Sequence, residues 1–162
     1  LAILGGCETV LETSSPVEIR AASTNERPDW RPTRHHLAGL DTWVAPEATA
    51  NRADILEATR SVDDLGRPIV ILRFDQPASI RMLDLSTSRP NRPIAVILDG
   101  RIIAAPIPTV EVADTLVVGF GDDPEADSNA DRLVAAVRTG PGPVSVETVV
   151  TQPVEDSVAS TP

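Results

Sequence analysis

Lysine and tyrosine do not occur in this sequence of 162 residues, and cysteine occurs once. Without lysine there is no Schiff-base chemistry and no phosphate-binding loop of the kind that needs that side chain. A single cysteine excludes an internal disulfide. Aromatic residues are only 2%, namely Trp30, Trp43, Phe74 and Phe120, so the core has to be assembled from Val, Ile, Leu and Ala. No apolar run reaches the roughly 18–20 residues of a membrane-crossing helix. The 14 basic residues, all Arg, face 24 acidic ones, and this formal charge of −10 argues against a binder of nucleic-acid backbones. Catalytic patterns are missing too: there is no Gly-x-Ser-x-Gly elbow and no glycine-rich phosphate loop. The expectation is a protein that is not an enzyme and carries no cofactor.

What remains is ordinary for a folded domain, with 41% apolar and 23% charged residues. The charge is uneven. Residues 111–162 hold ten acids and two Arg, and five of those acids (Asp122, Asp123, Glu125, Asp127 and Asp131) fall within one stretch without a base. The run Asp127-Ser128-Asn129-Ala130-Asp131 imitates the start of a calcium loop. That pattern needs Gly at its sixth position and Glu at its twelfth, where Arg132 and Arg138 stand. The acids complement instead the positive end of a helix.

Residues 1–7, Leu-Ala-Ile-Leu-Gly-Gly-Cys, resemble the lipobox of bacterial lipoproteins, in which the cysteine becomes the lipidated first residue. They are expected to be the remnant of a signal peptide, with Cys7 as the lipidation site; the alternative is an ordinary terminal segment with an idle thiol. Residues 8–40 show no clear period and are rich in Pro, Ser, Thr and charge, which reads as a solvated linker. Its His35-His36 pair reads as solvated rather than metal-binding, since neighbouring residues on an extended chain point apart. A folded domain is expected over 41–152, followed by a disordered tail over 153–162.

Within the domain the periodicity is readable. Ile69–Phe74 is a β-branched run and predicts a buried strand. Pro77–Leu85 predicts a helix with Pro77 in its first turn and Ala78, Met82 and Leu85 on one face. Ile94–Leu98 and Arg101–Ala105 predict two strands joined by Asp99-Gly100, a pair suited to a two-residue turn. Leu116–Phe120 is a further strand. A helix follows with Asp123 as its cap, Pro124 first, and Ala126, Ala130, Leu133, Val134 and Val137 as its apolar stripe, until Gly140. Val144–Val150 alternates as a closing strand. The order strand–helix–strand–strand–strand–helix–strand implies an α+β fold: a ferredoxin-like βαβ-βαβ sandwich, with two helices on one face of a mainly antiparallel sheet.

The stretch Pro93-Ile94-Ala95-Val96-Ile97-Leu98-Asp99-Gly100-Arg101-Ile102-Ile103-Ala104-Ala105-Pro106 resembles the "l-A-I-V-L-D-G-k-v-x-s-A-P" signature of the head subdomain of the first periplasmic domain of SecD, part of the SecDF accessory to Sec protein export. Asp54-Ile55 and Ala58, Ala78-Ser79 with Met82 and Leu85-Ser86, Val118-Gly119-Phe120, and Ala130 through Gly140 are similar to further family motifs in the same order. Ala78, Met82 and Ser86 replace the family's glycine, phenylalanine and threonine, and Gly140-Pro141-Gly142-Pro143 replaces its "G-x-L-P". The family's proton-coupling carboxylates belong to a membrane half outside the matched stretch. The resemblance therefore implies the fold and a binding role, not the motor.

The implied partner is a polypeptide, either an exported chain or an envelope protein, or Sec components, with the membrane reached through a lipid anchor and no nucleic acid involved. The implied place is extracytoplasmic. The alternative is a stand-alone envelope lipoprotein with a structural or ligand-binding role unrelated to export. Asp99 and Gly100 are expected to be structural turn residues. Asp122, Asp123, Glu125 and Asp127 form the candidate binding surface for basic extended chains, set against a basic flank of Arg81, Arg89, Arg92 and Arg101, with Val144–Val150 as a strand on which a chain could pair.

Overall fold

The computed structural model describes residues 10–34 and 41–139. Among the described residues nine strands and two α-helices follow one another: β1 Val17–Ser23, β2 Arg31–Arg34, β3 Asp41–Val44, β4 Ala50–Asn51, β5 Ile55–Val62, β6 Pro68–Phe74, α1 Gln76–Ser88, β7 Ile94–Leu98, β8 Arg101–Ala104, β9 Thr115–Gly119 and α2 Ala126–Thr139. All the strand pairs are antiparallel. The α+β class with antiparallel strands and two helices is as expected, but the strands divide into two sheets. One runs β2-β3-β1-β7-β8, with β4 also on β1, and the other runs β5-β6-β9. The expected closing strand, Gly140, Cys7 and His35-His36 lie outside the described residues.

The main correction concerns residues 8–40. They are not a solvated linker throughout, because Val17–Ser23 is the middle strand of the larger sheet and is buried along its whole length. Its partner over Val17–Ala21 is β7, paired from Val17↔Leu98 to Ala21↔Ile94. On its other edge it carries β4 at Glu18↔Asn51 and β3 at Ala22↔Val44. One face of β1, with Val17 and Ile19, enters the main core. The other face presents Glu18, Arg20 and Ala22, and a polar row there is what hid the strand. The row is covered by the preceding segment: Leu11 packs with Ala22, Val44, Ala95 and Ile97 in a second cluster. The Ser14 amide donates to Glu18 Oε1 at 2.9 Å. Arg20 answers Glu18 through Nη2 at 2.5 Å and donates to the Glu12 carbonyl at 2.9 Å.

The main core joins both sheets and both helices. Asp75 caps α1 by accepting from the Ala78 amide at 2.9 Å, with Pro77 in the first turn, one residue earlier than the expected start. Only Ala78 and Met82 of α1 are buried, whereas α2 buries Ala126, Asn129, Ala130, Leu133, Val134 and Val137 against the β5–β6 sheet. The stripe expected for α2 is the one observed. A bulge between Ile55 and Glu57 pushes Leu56 outward from β5.

Candidate functional site

The β7–β8 turn is built as its residues demand. Asp99 and Gly100 both have positive φ, 49° and 81°, the geometry of a two-residue hairpin turn that follows the twist of its strands. A Cβ on Gly100 would stand 2.7 Å from the Leu11 carbonyl oxygen, so the turn also needs glycine for space. The Leu11 amide donates to the Gly100 carbonyl at 2.8 Å, and the Asp99 amide to that of Pro16 at 2.9 Å. The pair is thus the dock for the segment that covers β1. The Asp99 carboxylate lies 3.8 Å from Arg132.

The four acids proposed as a binding surface do not stand alike. Asp123 is buried and structural: one carboxylate oxygen accepts from the Glu125 amide at 2.9 Å, the other from Asn129 at 3.4 Å. It thus caps the turn leading into α2, which itself starts at Ala126. Asp127 is paired, with Asp131, to Arg60 of β5. Asp122 lies 3.6 Å from Arg67. Glu125 is exposed. The acidic end is therefore tied to the β5–β6 hairpin by two guanidiniums and keeps an excess of negative charge outside. Of the expected basic flank, Arg81 is engaged with the Thr49 carbonyl at 2.8 Å and with Asp54 at 3.0 Å.

Arg89 belongs to a cluster that no local pattern announces. It is the residue that closes α1, its amide donating to the Leu85 carbonyl at 3.2 Å. Its guanidinium crosses to the end of β1, where Nη2 donates to the Ala22 carbonyl at 2.9 Å. It stacks on Trp30, 4.8 Å from the ring centre, and Arg27 sits on the same indole at 5.1 Å. Nε and Nη1 of Arg89 are closed to solvent and have no acceptor among the described residues. Among the described residues Arg27, Arg89 and Arg92 make no ion pair. Burial, and then the like charges of Arg27 and Arg92, hold the Arg89 pKa below its ordinary value. Leu85, Ser86, Asn91, Arg92, Pro93, Ile94 and Pro108 line the cleft around it.

Apolar side chains stand exposed on α1 and on the connection from β8 to β9. Ile80 and Leu83 of α1 point outward, 63% and 38% exposed, and Ile107 and Val110 are exposed on the β8–β9 connection. Ser86 fastens that connection to α1: its hydroxyl accepts from the Val112 amide at 2.9 Å. Ser86 thus has a defined task near the end of α1. No group of three or more His, Cys, Asp or Glu side chains among the described residues could hold a metal ion.

The family model for the SecDF P1 head subdomain matches residues 32–141. The chain belongs to the SecDF P1 head subdomain family. Two curated relatives are SecD subunits of protein translocases: one from Acidaminococcus fermentans is 30% identical over 98 residues, and one from Rhodobacter capsulatus 34% over 106 residues. The matches cover 59% and 64% of this chain but 22% and 18% of those proteins, so the chain spans about a fifth of the relatives' length. Among solved structures, a membrane component SecDF that enhances protein export shares the fold with a TM-score of 0.55 at 18% identity, over 76% of this chain and 62% of that one. SecDF in a super-membrane-facing form gives 0.54 at 19%, over 76% and 18%. The SecDF head match starts at Pro32, after β1, although β1 is central to the larger sheet.

Proposed function

We propose that this SecDF head domain works outside the cytoplasm as a non-catalytic accessory of protein export, holding extended or unfolded polypeptide by its surface. The family match over residues 32–141 carries the reading. Two surfaces support it. The outward residues of α1 and the β8–β9 connection offer apolar contact without a deep pocket. The start of α2 offers residual negative charge to basic chains. With so few aromatic anchors the association is weak, and at the acidic end it is salt-sensitive. Titration of an unfolded basic polypeptide at low and at physiological salt tests this. The expected result is binding at low salt, reduced by salt and by Asp122→Asn, Glu125→Gln and Asp127→Asn together. Asp123 stays unchanged because it is a buried cap. Absence of binding at low salt overturns the reading and leaves a structural role in the envelope.

We further propose that Cys7 carries a lipid anchor, on the ground of its lipobox-like setting. Radiolabelled palmitate is expected to enter the natural protein and not the Cys7→Ser variant. Equal labelling of the two would overturn the anchor and leave the polypeptide reading untouched.

A further inference from the structure

We infer that the outer edge of β9 is a docking site for an extended polypeptide segment, which adds to the smaller sheet as a further strand. The polypeptide as occupant rests on the reading above; the open edge does not.

Three observations carry the inference. The first is the direction of the backbone groups. β9 pairs with β6 from Arg73↔Thr115 to Ile69↔Gly119. One step beyond this ladder the Phe74 amide donates to the Asp114 carbonyl at 2.8 Å. Bonded and unbonded positions alternate along an antiparallel pair, so Asp114, Leu116 and Val118 turn their N–H and C=O groups to β6. Thr115, Val117 and Gly119 turn theirs away from it. Those outward groups have no partner among the described residues. All three residues are exposed, and Gly119 has only backbone to expose.

The second is the lack of protection. An unpaired strand edge is a template for another chain, and folded proteins blunt it with charge, proline or a bulge. The other terminal strands of the two sheets carry such devices. β2 has Arg31, Pro32 and Arg34. β5 bulges between Ile55 and Glu57 and carries Arg60, tied to Asp127. β8 starts at Arg101 and its register with β7 shifts after Val96. β9, Thr-Leu-Val-Val-Gly, has no charge, no proline and no bulge.

The third is the sheet face beside the edge. Val117 is 51% exposed, with half-buried Ile71 next to it on β6 and half-buried Ile69 next to Gly119. A Cβ on Gly119 would meet nothing within 4 Å, so a strand laid along β9 has room there for an apolar side chain reaching towards Ile69. The row of N–H and C=O groups is complementary to another β backbone, whatever its side chains. An edge without charge or pocket therefore suits extended chains of varied sequence.

The test uses the full chain labelled with nitrogen-15 and follows amide hydrogen exchange. In the free chain the Leu116 and Val118 amides are expected to exchange slowly and those of Val117 and Gly119 fast. A short blocked peptide of alternating Val and Thr is expected to slow Val117 and Gly119 in a saturable way. The same peptide with every amide N-methylated keeps its side chains, loses its donors, and is expected to bind at least about tenfold more weakly. Val117→Pro removes an outward N–H and spares the β6 ladder, as edge strands allow, and is expected to weaken binding by about tenfold. Val117→Thr keeps the N–H and is expected to bind like the natural chain. If Leu116 and Val118 lose their protection in the proline variant, its fold has failed and the N-methylated peptide decides. Slow exchange at Val117 and Gly119 in the free chain overturns the site: persisting on dilution, it means that another part of the chain covers the edge, and fading on dilution, that a second copy does. Equal binding of the two peptides also overturns it. Binding of the unfolded basic polypeptide that Val117→Pro leaves unmoved overturns this edge while the polypeptide reading stands, and no binding of any probe overturns both.

Discussion

Single residues were legible in the sequence where their task is local. Asp99-Gly100 announces a turn because few residues accept positive φ at two successive positions, and the turn is there with 49° and 81°. Gly100→Val is expected to destabilise the domain by about 1–3 kcal/mol from backbone strain, with the 2.7 Å approach to Leu11 adding to that. Asp99→Asn is expected to be nearly neutral. Urea unfolding of the two variants measures both, and an undisturbed midpoint for Gly100→Val would contradict the packing of Leu11 against the turn. The Arg89–Trp30 cluster was not legible in the same way. Its members meet only because the end of α1 lies beside the end of β1, and sequence spacing carries no trace of such a contact. Asp123 was read half correctly: its capping character follows from Asp-Pro chemistry, but its burial removes it from the binding surface to which it had been assigned.

At the scale of elements, the uninterrupted apolar strand β7 and the stripe of α2 could be read from period alone. β1 could not be read in this way, although Val17-Glu18-Ile19-Arg20-Ala21 does alternate. Glu18 and Arg20 looked like a solvated row and are instead a buried ion pair, 2% and 8% exposed at their side chains. β5 was obscured by its bulge, which spaces the buried Ile55 and Ala58 three apart and breaks the two-residue period. The ion pair gives β1 a sharp signature. Arg20→Ala leaves Glu18 buried without its charge partner and is expected to cost about 3–5 kcal/mol, whereas replacing both residues with apolar ones of similar volume is expected to cost far less. Equilibrium unfolding of the single and double variants distinguishes the two. An equal loss in both would mean that the charges themselves, not their mutual satisfaction, hold the strand.

Across the described residues, exposed charge and exposed apolar side chains occupy different places. The acidic start of α2 is restrained by Arg60 and Arg67 from the smaller sheet. The outward residues of α1 and those of the β8–β9 connection, which Ser86 holds to α1, are apolar and exposed. The role proposed above would bring this surface to extended chains. Site-specific photo-crosslinking in living cells tests this most directly, with the reactive group placed at Leu83 and, as a control, at exposed Glu47. The expected result is a crosslink from Leu83 to newly made chains in transit across the membrane, weak or absent from Glu47, and lost when synthesis of exported proteins is stopped. Equal crosslinking from both positions, or none from Leu83 during active export, would contradict the assignment of this surface to polypeptide binding.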